Sequence, residues 1–375
     1  MTLPATVLPA TSEDLDSGMD FPLDWILDNA TGAIQYRATI DVARLSIPDS
    51  SGFHGLPYSV APALELALAQ SSDGIWNSSI LTLPSARGDR FNGVGTISAV
   101  RRLVEYGWDR ESPPLLRARR ILFRLLAEDD DPAYAFELAP KRGADPGAAR
   151  RSRTILREAA AATLAQAGYE KDPRLRGAAA RIGERLLAFL SSPLAQDPLI
   201  RTGNQWVLRP DAAPPSIHTI TMLAYMPLFR NERYEVISRL AGYLAAAAPR
   251  STPAVATGKD PIQMPHLILG NPLPSAFAAE ADIPWALTWL ELAARLGILR
   301  KNEGWMGIYD RFLDSRDDRG VWHPRKNAVA PRSTNPFAWP GFPLEPSLTG
   351  EARWTDVTFR LGLIARLLGR QVNLI

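Results

Sequence analysis

Four histidines, no cysteine and a scatter of carboxylates bound the chemistry open to this 375-residue chain. Without a thiol there is no cysteine nucleophile, no Cys-ligated zinc, no iron–sulfur cluster and no redox CxxC pair, whatever the fold. His54, His218, His266 and His323 lie far apart and match neither H-x-x-x-H nor H-x-E spacing, so no metal and no other cofactor is expected. The densest acidic string, Glu128-Asp129-Asp130-Asp131, stands just before Pro132 at the end of a helical segment and reads as a solvated turn. Asp314, Asp317 and Asp318 adjoin a Gly-Val-Trp stretch and read as turn chemistry. Gly93-Val94-Gly95 has the look of a dinucleotide loop, but no strand precedes it and Ser98 stands where a third glycine belongs. It reads as the turn before a helix.

Helices must position whatever chemistry remains. Ala/Leu-rich segments end at Gly107, at Gly168, near Arg230, at Gly297 and at Gly369, at intervals of about 61, 62, 67 and 72 residues. A second helical segment follows in the first four units, over 115–127, 173–190, 232–248 and 302–313, and residues 25–45 and 58–69 form an earlier pair. Trp285, Trp289, Leu292 and Leu296 fall at i, i+4, i+7 and i+11, as do Val357, Leu361, Ile364 and Leu368. The last helix adds Phe359, Leu363 and Leu367 on a second face, which suits an element covered on both sides. By contrast, Ile182, Leu186 and Phe189 form one stripe, with Arg181, Glu184 and Arg185 largely off it. Inner and outer layers of helices account for the difference. Period-2 runs of Val, Ile and Thr are nearly absent, which argues against a sheet-based enzyme and for an all-α fold.

The segment Gly95-Thr96-x-x-Ala99-x-x-x-Leu103-x-x-x-Gly107, the turn Ser72-Asp73-Gly74-Ile75-Trp76 and the related Asp317-Asp318-Arg319-Gly320-Val321-Trp322 resemble repeats of the terpenoid cyclase and protein prenyltransferase superfamily. Its QW-type repeats similarly set an acidic-Gly-x-Trp turn beside an inner helix. The resemblance covers roughly residues 25–370 and implies an α/α toroid of about five to seven helical hairpins around a central cavity. It does not carry over the family's chemistry. The DxDD acid of class II cyclases meets only the string at Glu128, with Glu in first place. The magnesium-binding DDxxD of class I meets only the reversed order at Asp314, and the zinc site of the prenyltransferases needs a cysteine.

By the repeat alignment, the starts of the inner helices carry Glu158, His218, Asp282 with Trp285, and Trp354 with Asp356. The loops add Trp76, Trp206, Trp322, His323 and Trp339. Asp282 and Asp356 have an ordinary reading as helix caps, stabilised as anions by the helix dipole. The chemical reading makes Asp356, Asp282 and Glu158 the candidate catalytic acids. Trp76, His218, Trp285, Trp322, His323, Trp339 and Trp354 are then the candidate ligand contacts, an indole-rich lining suited to an apolar or cationic molecule. The loop 323–353, with Trp339-Pro-Gly-Phe-Pro, either covers the opening or plugs it, and 252–281 is a second candidate lid.

Lys and Arg total 42 against 40 Asp and Glu, a net charge of +2, and the arginines between 117 and 185 are interleaved with acids. No one-signed face for nucleic acid is expected. An apolar content of 46% is enough to bury a core. Residues 1–20 are rich in Thr, Pro, Ser and Asp and read as a flexible tail before a single domain over 21–375. They have neither the basic start nor the apolar stretch of a signal peptide, and no apolar run reaches membrane-spanning length, so a cytoplasmic protein is expected. Three functions remain in play: binding, with or without turnover, of a hydrophobic, isoprenoid-type small molecule in the central cavity; a glycan-active α/α barrel with two facing carboxylates; and a non-catalytic scaffold that binds a protein partner.

Overall fold

The computed structural model describes residues 18–83, 91–127, 146–203, 205–249, 252–257, 260–275, 277–324, 330–332 and 335–375. Residues 1–17 and the acidic string at 128–131 lie outside the described residues. The described chain is mostly helical, as the periodicity requires. In order, the helices are α1 (Leu23–Asn29), α2 (Gly32–Arg37), α3 (Ala61–Leu68), α4 (Thr96–Glu105), α5 (Pro113–Leu125), α6 (Pro146–Gln166) and α7 (Pro173–Leu190). There follow α8 (Ile217–Ala224), α9 (Pro227–Glu232), α10 (Tyr234–Ala245), α11 (Ala278–Ala281), α12 (Ile283–Arg295), α13 (Glu303–Asp314) and α14 (Thr355–Leu367).

The glycines that mark the repeat also stop the helices. Gly107, Gly168, Gly297 and Gly369 have φ of 89°, 83°, 71° and 72°, a left-handed conformation open to glycine without steric cost. After each one the next amide turns back: Trp108 to the carbonyl of Leu103, Tyr169 to Leu164, Ile298 to Ala293 and Arg370 to Ala365. This repeated C-terminal motif ends α4, α6, α12 and α14 in the same way. The expected first pair is more broken than its pattern suggests. Residues 25–45 divide into α1, α2 and a π-helical turn, Ala38–Ala43, and residues 52–59 are a 3-10 segment before α3. The break falls where Gly32 packs on the Leu56 carbonyl so closely that a Cβ would sit 2.7 Å from its oxygen.

Helix α6 packs on α4 and on α8, α8 on α12, α12 on α14, and α14 on α2. Every residue of α8 is buried, as is α14 from Thr355 to Ala365. The helices α5 and α7 lie against α6, and α13 against α14. Helix α7 buries only the stripe Leu175, Ala178, Ala179, Ile182, Gly183, Leu186 and Phe189. The contrast between two-sided and one-sided helices is therefore real.

Strands are short. β1 (Met19–Phe21) pairs in parallel with β6 (Val372–Leu374), and two hairpins, β2 (Leu199–Thr202) with β3 (Gln205–Leu208) and β4 (Ala254–Thr257) with β5 (Asp260–Gln263), lie in loops. Met19 and Asp20, expected in the flexible tail, thus belong to a strand. Three residues are too few to show an alternating pattern, and what holds them is tertiary. Met19 and Phe21 are buried, and the Phe21 ring rests on Gly362 of α14, where a Cβ would come within 2.5 Å of it. Gly362→Ala is expected to destabilise the fold by about 1–3 kcal/mol in urea unfolding. Gly307→Ala in α13, whose Cβ meets nothing within 4 Å, should instead be neutral or stabilising by up to about 1 kcal/mol.

Candidate functional site

The best-defined constellation in the molecule is an ion-pair network to which six elements contribute. Glu105 of α4 accepts from Arg37 of α2 at 2.5 Å, from Arg360 of α14 at 2.6 Å and from Gln166 of α6 at 2.5 Å. Arg360 also binds Glu291 of α12, which accepts from Arg295 at 2.9 Å and from the Tyr225 hydroxyl, just past α8, at 3.2 Å. Arg37 holds Asp41 at 2.9 Å, and Arg101 donates to Gln166 at 2.7 Å. Burial disfavours the charged forms of Glu105 and Glu291. The guanidinium of Arg360, joined by Arg37 at Glu105 and by Arg295 at Glu291, outweighs it and holds both carboxyls below their ordinary range. Both acids are ionised and neither is free to donate a proton.

Two cavities lie at opposite ends of α4, α6 and α8. At the C-terminal ends a mouth of about 550 Å³ is lined by Tyr36, Arg37, Tyr58, Glu105, Trp108, Gln166 and Arg295, among others. At the N-terminal ends a smaller, partly open space of about 110 Å³ is lined by Ser98, Arg101, Ile155, His218, His266 and Phe337, among others. A third space, about 980 Å³ and largely apolar, lies outside the network, between the C-terminal ends of α7 and α10 and the β2–β3 hairpin. Leu190, Leu199, Trp206, Tyr243, Ala246 and Leu269 line it.

The residues singled out from sequence do not converge on one site. Asp356 is buried in the first turn of α14, and its carboxylate accepts from the backbone amides of Leu344 and Glu345 at 2.8–3.1 Å. Asp282 caps α12 through the Trp285 amide at 2.9 Å. Glu158 accepts from the Ser216 hydroxyl and from Arg185, and burial raises its pKa. Trp76 is a core residue whose indole donates to the Leu66 carbonyl. Trp285 packs on Trp289, and Trp322, His323 and Trp354 form an edge-to-face cluster with centroids 5.2–5.5 Å apart. Trp339 lies under Arg102, 4.9 Å from its guanidinium carbon. Of these residues only His218 reaches the smaller cavity, where its ring stacks on His266 at 6.4 Å.

Sequence reasoning missed the arginines. Arg37/Asp41 and Glu291/Arg295 are i, i+4 ion pairs, and charge at that spacing on a helix apolar all round is the signal for a buried network. The same arginines decide what the 323–353 loop does over its described part. Arg102 donates to the carbonyls of Trp339 and Pro343, and Arg360 to that of Gly341. Together with Asp356 they pin residues 339–345 onto α4 and α14 as a plug. Among the described residues no group of three or more His, Asp or Glu side chains is placed to hold a metal, and no helix is long and apolar enough to cross a membrane. Comparison with protein-family models, curated proteins and solved structures finds no match for this chain.

Burial pushes the Asp356 carboxyl up to about 6 against an ordinary 3.8, despite its two backbone donors and the charges of Arg360 and Arg102. A carboxyl raised on folding adds stability that is complete below about pH 4 and is lost as the pH climbs through 6. The stability advantage of the wild type over Asp356→Asn should therefore shrink by on the order of 3 kcal/mol between pH 4 and pH 7, read by urea unfolding.

Proposed function

We propose that the chain is a cytoplasmic α/α toroid of the terpenoid cyclase-like architecture that binds a hydrophobic small molecule, of isoprenoid size and character, without turning it over. The succession α2, α14, α12, α8, α6 and α4 supports the ring, with the Arg37–Glu105 pair bridging its first and last members. The outer cleft carries the ligand assignment. It is the most spacious of the cavities described and its lining is largely apolar, and such a space is where an apolar ligand gains most from leaving water. Ile200, Trp206 and Ile262 stand 40–55% exposed on the neighbouring hairpins and extend the cleft's apolar lip. Binding without catalysis follows from the acids: Asp356, Asp282 and Glu158 each hold a structural partner, and Glu105 and Glu291 are locked as anions by arginine.

A glycan in the mouth is the second reading. It rests on the Tyr58 and Trp108 rings, 4.9 Å apart, beside the Nη atoms of Arg295, which donate no hydrogen bond to a described residue. Hydrolysis is not part of it, because Asp41 and Glu105 are both paired with Arg37.

Farnesol and a long-chain fatty alcohol should bind saturably, with a change in tryptophan emission that Trp206→Phe removes. Gly242→Trp fills the cleft from a position whose Cβ meets nothing within 4 Å. It should abolish binding while leaving the thermal midpoint near that of the wild type. Binding undiminished by Gly242→Trp would sink the assignment, and saturable binding of oligosaccharides in place of the alcohols would favour the mouth.

A further inference from the structure

We propose that the small cavity between the first turns of α4 and α8 is a binding site for a short-chain monocarboxylate, with Arg101 as the group that grips the carboxylate. The cavity is separate from the outer cleft, and the inference does not rest on that assignment.

The argument starts from a charge without a counter-charge. Arg101 is 7% exposed. Its Nε is committed to Gln166 at 2.7 Å, while Nη1 and Nη2 have no hydrogen-bond acceptor among the described residues. The other buried arginines of the centre are provided for: Arg37, Arg295 and Arg360 by carboxylates, Arg102 by two carbonyls. Arg101 reaches Glu105 only through Gln166, and Glu105 is already shared by Arg37 and Arg360. A buried guanidinium left this way is costly unless an anion completes it. Its planar fork matches a carboxylate through two parallel N–H···O bonds.

The rest of the lining selects the anion. His218 is 6% exposed and its Nδ1 has no partner. Burial lowers both facing imidazoles, His218 well below its ordinary value with Arg101 and His266 adding to the effect, and His266 to about 4. At neutral pH they are uncharged rings, each with one N–H to give. The cavity's charge is then the single positive charge of Arg101, which suits a monoanion and not a dianion. Ile97, Ile155 and Phe337 supply apolar wall for a short alkyl chain. One water needs roughly 10–15 Å³ of such space, so about 110 Å³ admits a molecule of several non-hydrogen atoms.

The test is calorimetric titration of the full chain, in a carboxylate-free buffer, with acetate, propionate, chloride and inorganic phosphate. Acetate or propionate should bind saturably at one site, and chloride and phosphate should not. Arg101→Gln should weaken binding by about tenfold or more, the loss expected for a charge-assisted bidentate contact. Ile155→Phe, which narrows the cavity and leaves every charge in place, should weaken propionate more than acetate. It serves as the arbiter if Arg101→Gln does not fold. Phe337→Ala should shift the preference toward longer acids. The proposal is overturned by the absence of saturable binding of either acid, by chloride binding as well as acetate, or by affinities that neither Arg101→Gln nor Ile155→Phe alters.

Discussion

Two carboxylates, Glu105 and Glu291, are buried with little room for solvating water, and the helices around them are arranged to bring arginines to both. A buried anion left without its partner costs on the order of 3–5 kcal/mol, so each helix that supplies a partner is held in register by that requirement. Arg37 fixes the azimuth of α2, Arg360 that of α14, Arg295 the last turn of α12, and Gln166 the end of α6. Apolar packing alone would let such helices slide or rotate with small losses. The network has one geometry in which every acceptor is filled, and that geometry sets how these helices meet.

The same chemistry separates the interior into spaces of different character. The network fills the middle with paired charges, so the cavities at its two ends inherit polar floors, while the apolar volume lies outside it under a hairpin. Arg102 and Arg360 also reach past the helices to the carbonyls of Trp339, Gly341 and Pro343. A proline-rich loop, short of amide donors, thus becomes a donor-satisfied plug. The ligand preferences proposed for the cleft and for the Arg101 cavity are consequences of this partition.

How far the sequence could be read depended on whether a feature was local. Helices α12 and α14 and the glycine stops at 107, 168, 297 and 369 were legible because both the apolar stripe and its terminator lie within a few turns. The division of residues 25–45 was not, since it depends on Gly32 meeting Leu56 across a turn. The strand at Met19 was invisible for the same reason, its partner lying at the far end of the chain. Among the candidate site residues, Asp282 is the cap its spacing suggested. Trp76, Trp322 and Trp354, singled out as ligand contacts, are buried in the core. Arg101 and Glu105 escaped notice because the amphipathic pattern assigns charges to solvent. Only the knowledge that α4 is covered on all sides turns them into a buried pair of opposite fates, one neutralised and one not.

The sequence separations within the network impose an order in time. Arg37 and Glu105 are 68 residues apart, Glu105 and Gln166 61, and Glu291 and Arg360 69, but Glu105 and Arg360 are 255 apart. At a synthesis rate of about 5–20 residues per second, Arg360 leaves the ribosome roughly ten to fifty seconds after the glutamate it neutralises. The early helices can form and pair as they emerge, with Arg37 on Glu105 and Arg295 on Glu291, yet the two halves of the network join only when α14 brings Arg360 to both acids. The last helix to emerge is therefore the component that closes the network, and a chain interrupted before it would carry two half-completed charge clusters in place of one.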